Sequence, residues 1–131
     1  MSEHEPVPGQ VDDAVIELAH QLFDWARAGE TERVEAYVRA GAPANLTDDA
    51  GNTLLMLAAY HGHPATVAML AGRGADVDRL NDRGQSPLAG AVFKDEQEVV
   101  RTLLEAGADP DTGSPTARET AAMFGRPELF G

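Results

Sequence analysis

The chain repeats itself at a fixed interval of 33 residues. The stretch GNTLLMLAAYHGHPATVAMLAGRGADVD, starting at Gly51, aligns without a gap on GQSPLAGAVFKDEQEVVRTLLEAGADPD, starting at Gly84. Gly51 falls on Gly84, Thr53 on Ser86, Leu55 on Leu88, Val67 on Val100 and Leu70 on Leu103, and Gly74-Ala75-Asp76 falls on Gly107-Ala108-Asp109. One period earlier, Leu22, Ala26, Gly29, Val34, Gly41 and Ala42 take the places of Leu55, Ala59, Gly62, Val67, Gly74 and Ala75. The 131 residues therefore read as three units and a fragment. A period of this length marks an architecture in which each supersecondary unit stacks on its neighbour.

Within a unit the pattern reads as two short helices and a turn. In the second unit Thr53 is placed to cap a helix running to about His61, with Leu55, Ala58 and Ala59 on one face. Gly62 breaks that helix, and Pro64 suits the first turn of the next. Val67, Leu70 and Ala71 repeat the apolar spacing, and Gly74 can adopt the left-handed conformation that closes a helix. The stretch from Ala75 to Gly84 holds Asp, Asn and Gly, all turn formers. Helices this short are not stable alone, so each unit needs a stacked neighbour to bury its apolar face.

The period, the GNTLLMLAAYHGH stretch at Gly51 to His63 and the Gly-Ala-Asp turns at Gly74 and Gly107 resemble the ankyrin repeat, over roughly residues 16–125. The third unit keeps Ser86-Pro87-Leu88, close to the family's Thr-Pro-Leu, and departs from the pattern at Gly90, Val92 and Asp95. The second departs at Leu54 and Met56. The resemblance implies an all-α helix-turn-helix solenoid with β-hairpin-like turns and about 3.5 repeats. The expected units are approximately 11–47, 48–80 and 81–111, with a C-terminal cap at 112–131, after a disordered acidic tail at 1–10.

The end units are atypical, as caps should be. His20, Gln21 and Asp24 stand where the second unit has Thr53, Leu54 and Leu57, and Trp25 replaces Ala58. That tryptophan reads as hydrophobic cover for a terminal unit. Ala121 to Pro127 echoes Ala58 to Pro64 at an offset of 63, so the fourth unit has lost three residues. Its second helix is a stub, Pro127 to Phe130, whose Leu129 and Phe130 are expected to pack near Leu103 or Leu104.

Charge and composition narrow the function. Asp plus Glu number 22 against 10 Lys plus Arg, a net charge of −12, and Lys94 is the single lysine. Such a chain repels phosphate backbones and anionic membranes, so no direct nucleic-acid or membrane binding is expected, and a partner with a basic surface is favoured. Cysteine is absent, which removes disulfides, thiolate metal sites and cysteine nucleophiles. The opening MSEHEPVPGQ lacks the basic and apolar regions of a signal peptide, and no apolar run could span a bilayer. A soluble, cytoplasmic, monomeric protein is expected. No P-loop, dinucleotide fingerprint, HExxH or GxSxG is present, so neither catalysis nor a cofactor is expected. The carboxylate pairs Asp76/Asp78 and Asp109/Asp111 recur at the repeat period, which favours a turn-stabilising role over acid–base chemistry.

Tyr60, His61 and His63 cluster as catalytic or metal-binding residues do. His-Gly-His supplies two ligands without a convergent third, so no metal is assigned. The resemblance instead places His63 at the inter-helix turn, where its imidazole would bond locally. It places Tyr60 and His61 on a concave surface that binds a partner protein. The matching pairs are Phe93 with Lys94 and Arg27 with Ala28, and the hairpin-tip residues are Asp49, Ala50 and Asn52, then Asp82, Arg83 and Gln85. The implied function is non-enzymatic protein binding. The alternatives are an acidic inhibitor or immunity-type protein that mimics nucleic acid and, behind it, a histidine-dependent metal protein or enzyme.

Overall fold

Polar caps and positive-φ breaks cut the chain into helices of seven to nine residues after a longer first one. A computed structural model describes residues 13–131, so the acidic tail expected at 1–10 lies outside the described residues. The helices are α1 (Asp13–Ala28), α2 (Thr31–Arg39), α3 (Leu54–Tyr60), α4 (Pro64–Gly72), α5 (Pro87–Phe93), α6 (Gln97–Glu105) and α7 (Ala117–Met123), followed by a 3-10 turn (Pro127–Phe130). Among the described residues there is no strand, only an isolated antiparallel bridge between Thr47 and Thr53 at the base of a hairpin. The fold is the all-α repeat solenoid that the resemblance implies.

The same chemistry starts three of the inner helices. Thr53 Oγ1 accepts from the Met56 N–H and Ser86 Oγ from the Ala89 N–H, each at 3.0 Å. Thr116 Oγ1 accepts from the Glu119 N–H, and the Glu119 carboxylate accepts back from the Thr116 N–H at 2.9 Å, a complete capping box. The first unit has no such cap at the corresponding place. There α1 continues two turns further toward its N-terminus, on the apolar stripe Val15, Leu18, Ala19, Leu22, Phe23 and Ala26.

The helices stack in two rows. The inner row is α1, α3, α5 and α7, each touching the next, and the outer row is α2, α4 and α6. Between the rows lie Leu22, Leu55, Leu88, Val34, Val67 and Leu103, all essentially buried. Each is one of the residues that align at the repeat period. Burying a side chain of this size stabilises by about 1.5–3 kcal/mol. Alanines such as Ala26, Ala58, Ala59 and Ala91, with no measurable exposure, let the rows approach closely. At the first end Trp25 stacks on Tyr37 with ring centroids 5.5 Å apart, and the Arg33 guanidinium lies over the indole.

Side chains in the loops also repeat. Asp48 Oδ1 accepts from the N–H groups of Ala50 and Asn52, and Asn81 Oδ1 accepts from those of Arg83 and Gln85, so an Asx residue closes each hairpin. At the opposite loops Asn45 Oδ1 accepts from the Asp76 N–H and Asp78 Oδ1 from the Asp109 N–H, both at 2.8 Å. Asp76 and Asp109 each accept from the N–H two residues on. The periodic carboxylates thus cap backbone groups and link one unit to the next.

His63 differs from its expected local bond. Its Nε2 donates to the Arg27 carbonyl, 2.7 Å away in the preceding unit. The carbonyl can only accept, so Nε2 carries the proton. The C-terminal stub packs mainly on α7, with Leu129 and Phe130 partly buried on the core, and only Leu129 shares a groove, of about 280 Å³, with Val100 and Leu104. Arg118 ties it down, donating to the Phe130 carbonyl at 2.6 Å and pairing with Asp111 at 2.8 Å.

Candidate protein-binding groove

The inner helices and the hairpins enclose an elongated groove of about 610 Å³. Six of the residues singled out from the sequence line it: Ala50, Asn52, Tyr60, Arg83, Gln85 and Phe93. Met56, Leu57, Ala89, Gly90, Pro115, Thr120 and Met123 complete much of the wall. Gly90 stands one period after Leu57, so the third unit omits a leucine side chain there and the groove deepens between α3 and α7. A Cβ at Gly90 would lie 3.5 Å from the Tyr60 ring.

An exposed apolar ridge runs along the ends of the inner helices. Tyr60 is 40%, Phe93 56%, Met123 69% and Phe124 50% exposed, unusual values for large apolar side chains grouped in one place. The rings of Phe93 and Phe124 meet edge to face at 5.7 Å. Lys94 Nζ lies over the Tyr60 ring, 4.9 Å from its centroid. His61 packs its edge against the same tyrosine. Partial burial, followed by the charges of Arg27, His63 and Lys94, holds the His61 imidazole below its usual pKa.

The remaining sequence candidates lie elsewhere. Arg27 pairs with Asp24 at 3.0 Å and approaches Asp48 at 3.8 Å, away from the groove lining. Asp82 is turned onto the preceding hairpin, where its Oδ1 would be 2.5 Å from a Cβ at Gly51, and its N–H donates to the Ala50 carbonyl. Asp49 does not line the groove, and His61 and Lys94 flank the ridge rather than the groove lining. The Asn52 and Gln85 side chains do line it, but both carbonyl oxygens already accept from Asn81 Nδ2, at 2.9 and 2.8 Å. Met123 and Phe124 were missed as candidates, although the offset of 63 puts them under Tyr60 and His61. Among the described residues, no three His, Asp or Glu side chains gather as a metal site requires.

Comparison with known proteins agrees with this architecture. The model of the family described as ankyrin repeats (3 copies) matches residues 22–114. An ankyrin repeat protein of Pseudomonas aeruginosa is 47% identical over 60 residues, covering 46% of this chain and 35% of that protein. An ankyrin repeat-containing protein of Treponema pallidum is 40% identical over 84 residues, covering 63% of this chain and 28% of that one. The chain thus spans about a third or less of the length of these relatives. Ankyrin repeats generally serve as non-enzymatic modules for binding other proteins. By period, caps, stacked helix pairs and this match over most of its length, the chain belongs to the ankyrin-repeat family.

Proposed function

We propose that this protein binds a partner protein, without catalysis and without a cofactor, in the groove between its hairpins and inner helices. The exposed ridge of Tyr60, Phe93, Met123 and Phe124 beside that groove carries the reading. Buried aromatic anchors commonly dominate protein interfaces. A standard interface needs about 800 Å² per partner, which two to three repeats can supply. The protein acts as a cytoplasmic monomer in this reading, and its net charge of −12 favours, at long range, a partner with a basic surface. No helix among the described residues is long and apolar enough to cross a membrane. The nucleic-acid-mimic alternative draws less support, because Asp76, Asp78 and Asp109 spend carboxylate oxygens on backbone N–H groups.

The test is the double substitution Tyr60→Ala with Phe93→Ala. Binding to a partner recovered on the immobilised protein should weaken by at least about 2 kcal/mol. The unfolding midpoint should change little, since both rings are exposed. Unchanged binding, or a large loss of stability, would sink the reading.

A further inference from the structure

The charge of the groove is opposite to that of the chain. Among the described residues, Arg83 is the only formally charged one in its lining, and Lys94 stands at its edge over Tyr60. Among the described residues neither side chain makes an ion pair. Of the nearby carboxylates, Asp48, Asp82 and Asp95 are committed elsewhere, and Asp49 and Glu96 lie outside the groove lining. Asp48 accepts from two hairpin N–H groups and the Asn52 amide, Asp82 lies against Gly51, and Asp95 pairs with Arg126. Arg27 and Lys94 add positive charge beside His61 at this rim, on top of its partial burial.

Resting on the groove as the binding site, we infer that its occupant is a segment pairing a bulky apolar side chain with a nearby carboxylate. The apolar group lies along Tyr60, Phe93 and Met123, and the carboxylate meets Arg83 on the hairpin wall or Lys94 at the helix end. Helix α5, seven residues long, separates these two cations. Its rise is about 10 Å, the reach of about three residues of extended chain. The carboxylate therefore falls a few residues from the apolar anchor, nearer to it when it meets Lys94 than when it meets Arg83. The long-range attraction of the acidic body for basic partners is a separate effect, set by net charge and weakened by salt. Contact inside the groove is set by Arg83 and Lys94.

Short synthetic peptides with a single Leu, Phe or Trp, flanked by Asp/Glu, by Ser/Gly or by Lys/Arg, test this against the full chain by fluorescence anisotropy. The acidic set should bind at least about tenfold more tightly than the neutral set. The Arg83→Glu, Lys94→Glu variant, changed at two exposed positions, should erase or reverse that preference while keeping its helical circular dichroism. The Tyr60→Ala, Phe93→Ala variant should lose all three sets. If neutral or basic peptides bind as well as acidic ones and Tyr60→Ala, Phe93→Ala abolishes that binding, the groove stands and the carboxylate inference falls. If no set binds in a manner that depends on Tyr60 and Phe93, both fall.

Discussion

Arg126 pairs with Asp95 at the place where, two units earlier, His63 lies against Gly29. Asp95 holds a left-handed backbone, φ 56°, at the turn where the earlier units have Gly29 and Gly62 at 74° and 80°. A non-glycine residue is strained there by about 1–2 kcal/mol, less for Asp than for most. The Arg126 ion pair, largely exposed, offsets up to about 1 kcal/mol of that. Asp95→Gly should therefore leave stability within about 1 kcal/mol of the parent. Asp95→Ala keeps the strain and loses the pair, and should be less stable than Asp95→Gly. Urea unfolding of the two variants checks the order, and the reverse order would show that the turn needs the aspartate itself.

The other two inter-helix turns predict a second asymmetry. A Cβ at Gly29 would lie 2.5 Å from Nδ1 of His63, in an imidazole held by its bond to the Arg27 carbonyl. A Cβ at Gly62 would meet only the carboxylate end of Glu96, also at 2.5 Å, which can swing into solvent. Both substitutions to alanine incur left-handed strain of about 1–2 kcal/mol. Gly29→Ala should cost about 1 kcal/mol more than Gly62→Ala, the scale of one lost hydrogen bond. Adding His63→Ala to Gly29→Ala should recover part of that excess, which a double-mutant cycle measures.

His61 gives the folded chain a pH dependence. Its folded pKa lies below the ordinary 6.5, through partial burial and then the Arg27, His63 and Lys94 charges. Between the folded value and 6.5 the unfolded chain binds more protons, so stability falls as pH drops through that window and is fully present above it. The parent should lose stability relative to His61→Gln as pH is lowered from neutrality. An NMR titration should place the His61 midpoint below 6.5; a midpoint at or above it would refute the lowered value.

Deleting residues 127–131 should cost about 1–3 kcal/mol, because Leu129 and Phe130 are only half-buried on the core. The loss also frees Arg118 from the Phe130 carbonyl. An unchanged denaturation midpoint would mean that the terminal 3-10 turn adds nothing to the cap.

The sequence by itself determined the fold. Leu55, Val67 and Leu70 recur at the same interval as Leu88, Val100 and Leu103, and a local pattern that cannot bury its apolar face alone forces the same stacking at every step. The cap at Thr53, the break at Gly62 and the structural use of Asp76 and Asp109 were legible for the same reason: each acts within a few residues of itself or repeats with the period. The candidate site was legible only by register. Counting from the scaffold places Tyr60 and Phe93 on one ridge, but it cannot say that Asp82 turns onto Gly51 or that Lys94 reaches back over Tyr60. It does not show that His63 bonds the preceding unit, or that the missing side chain at Gly90 deepens the groove. These depend on which side chain of one unit faces which atom of the next, and such distances are fixed only when the units are packed.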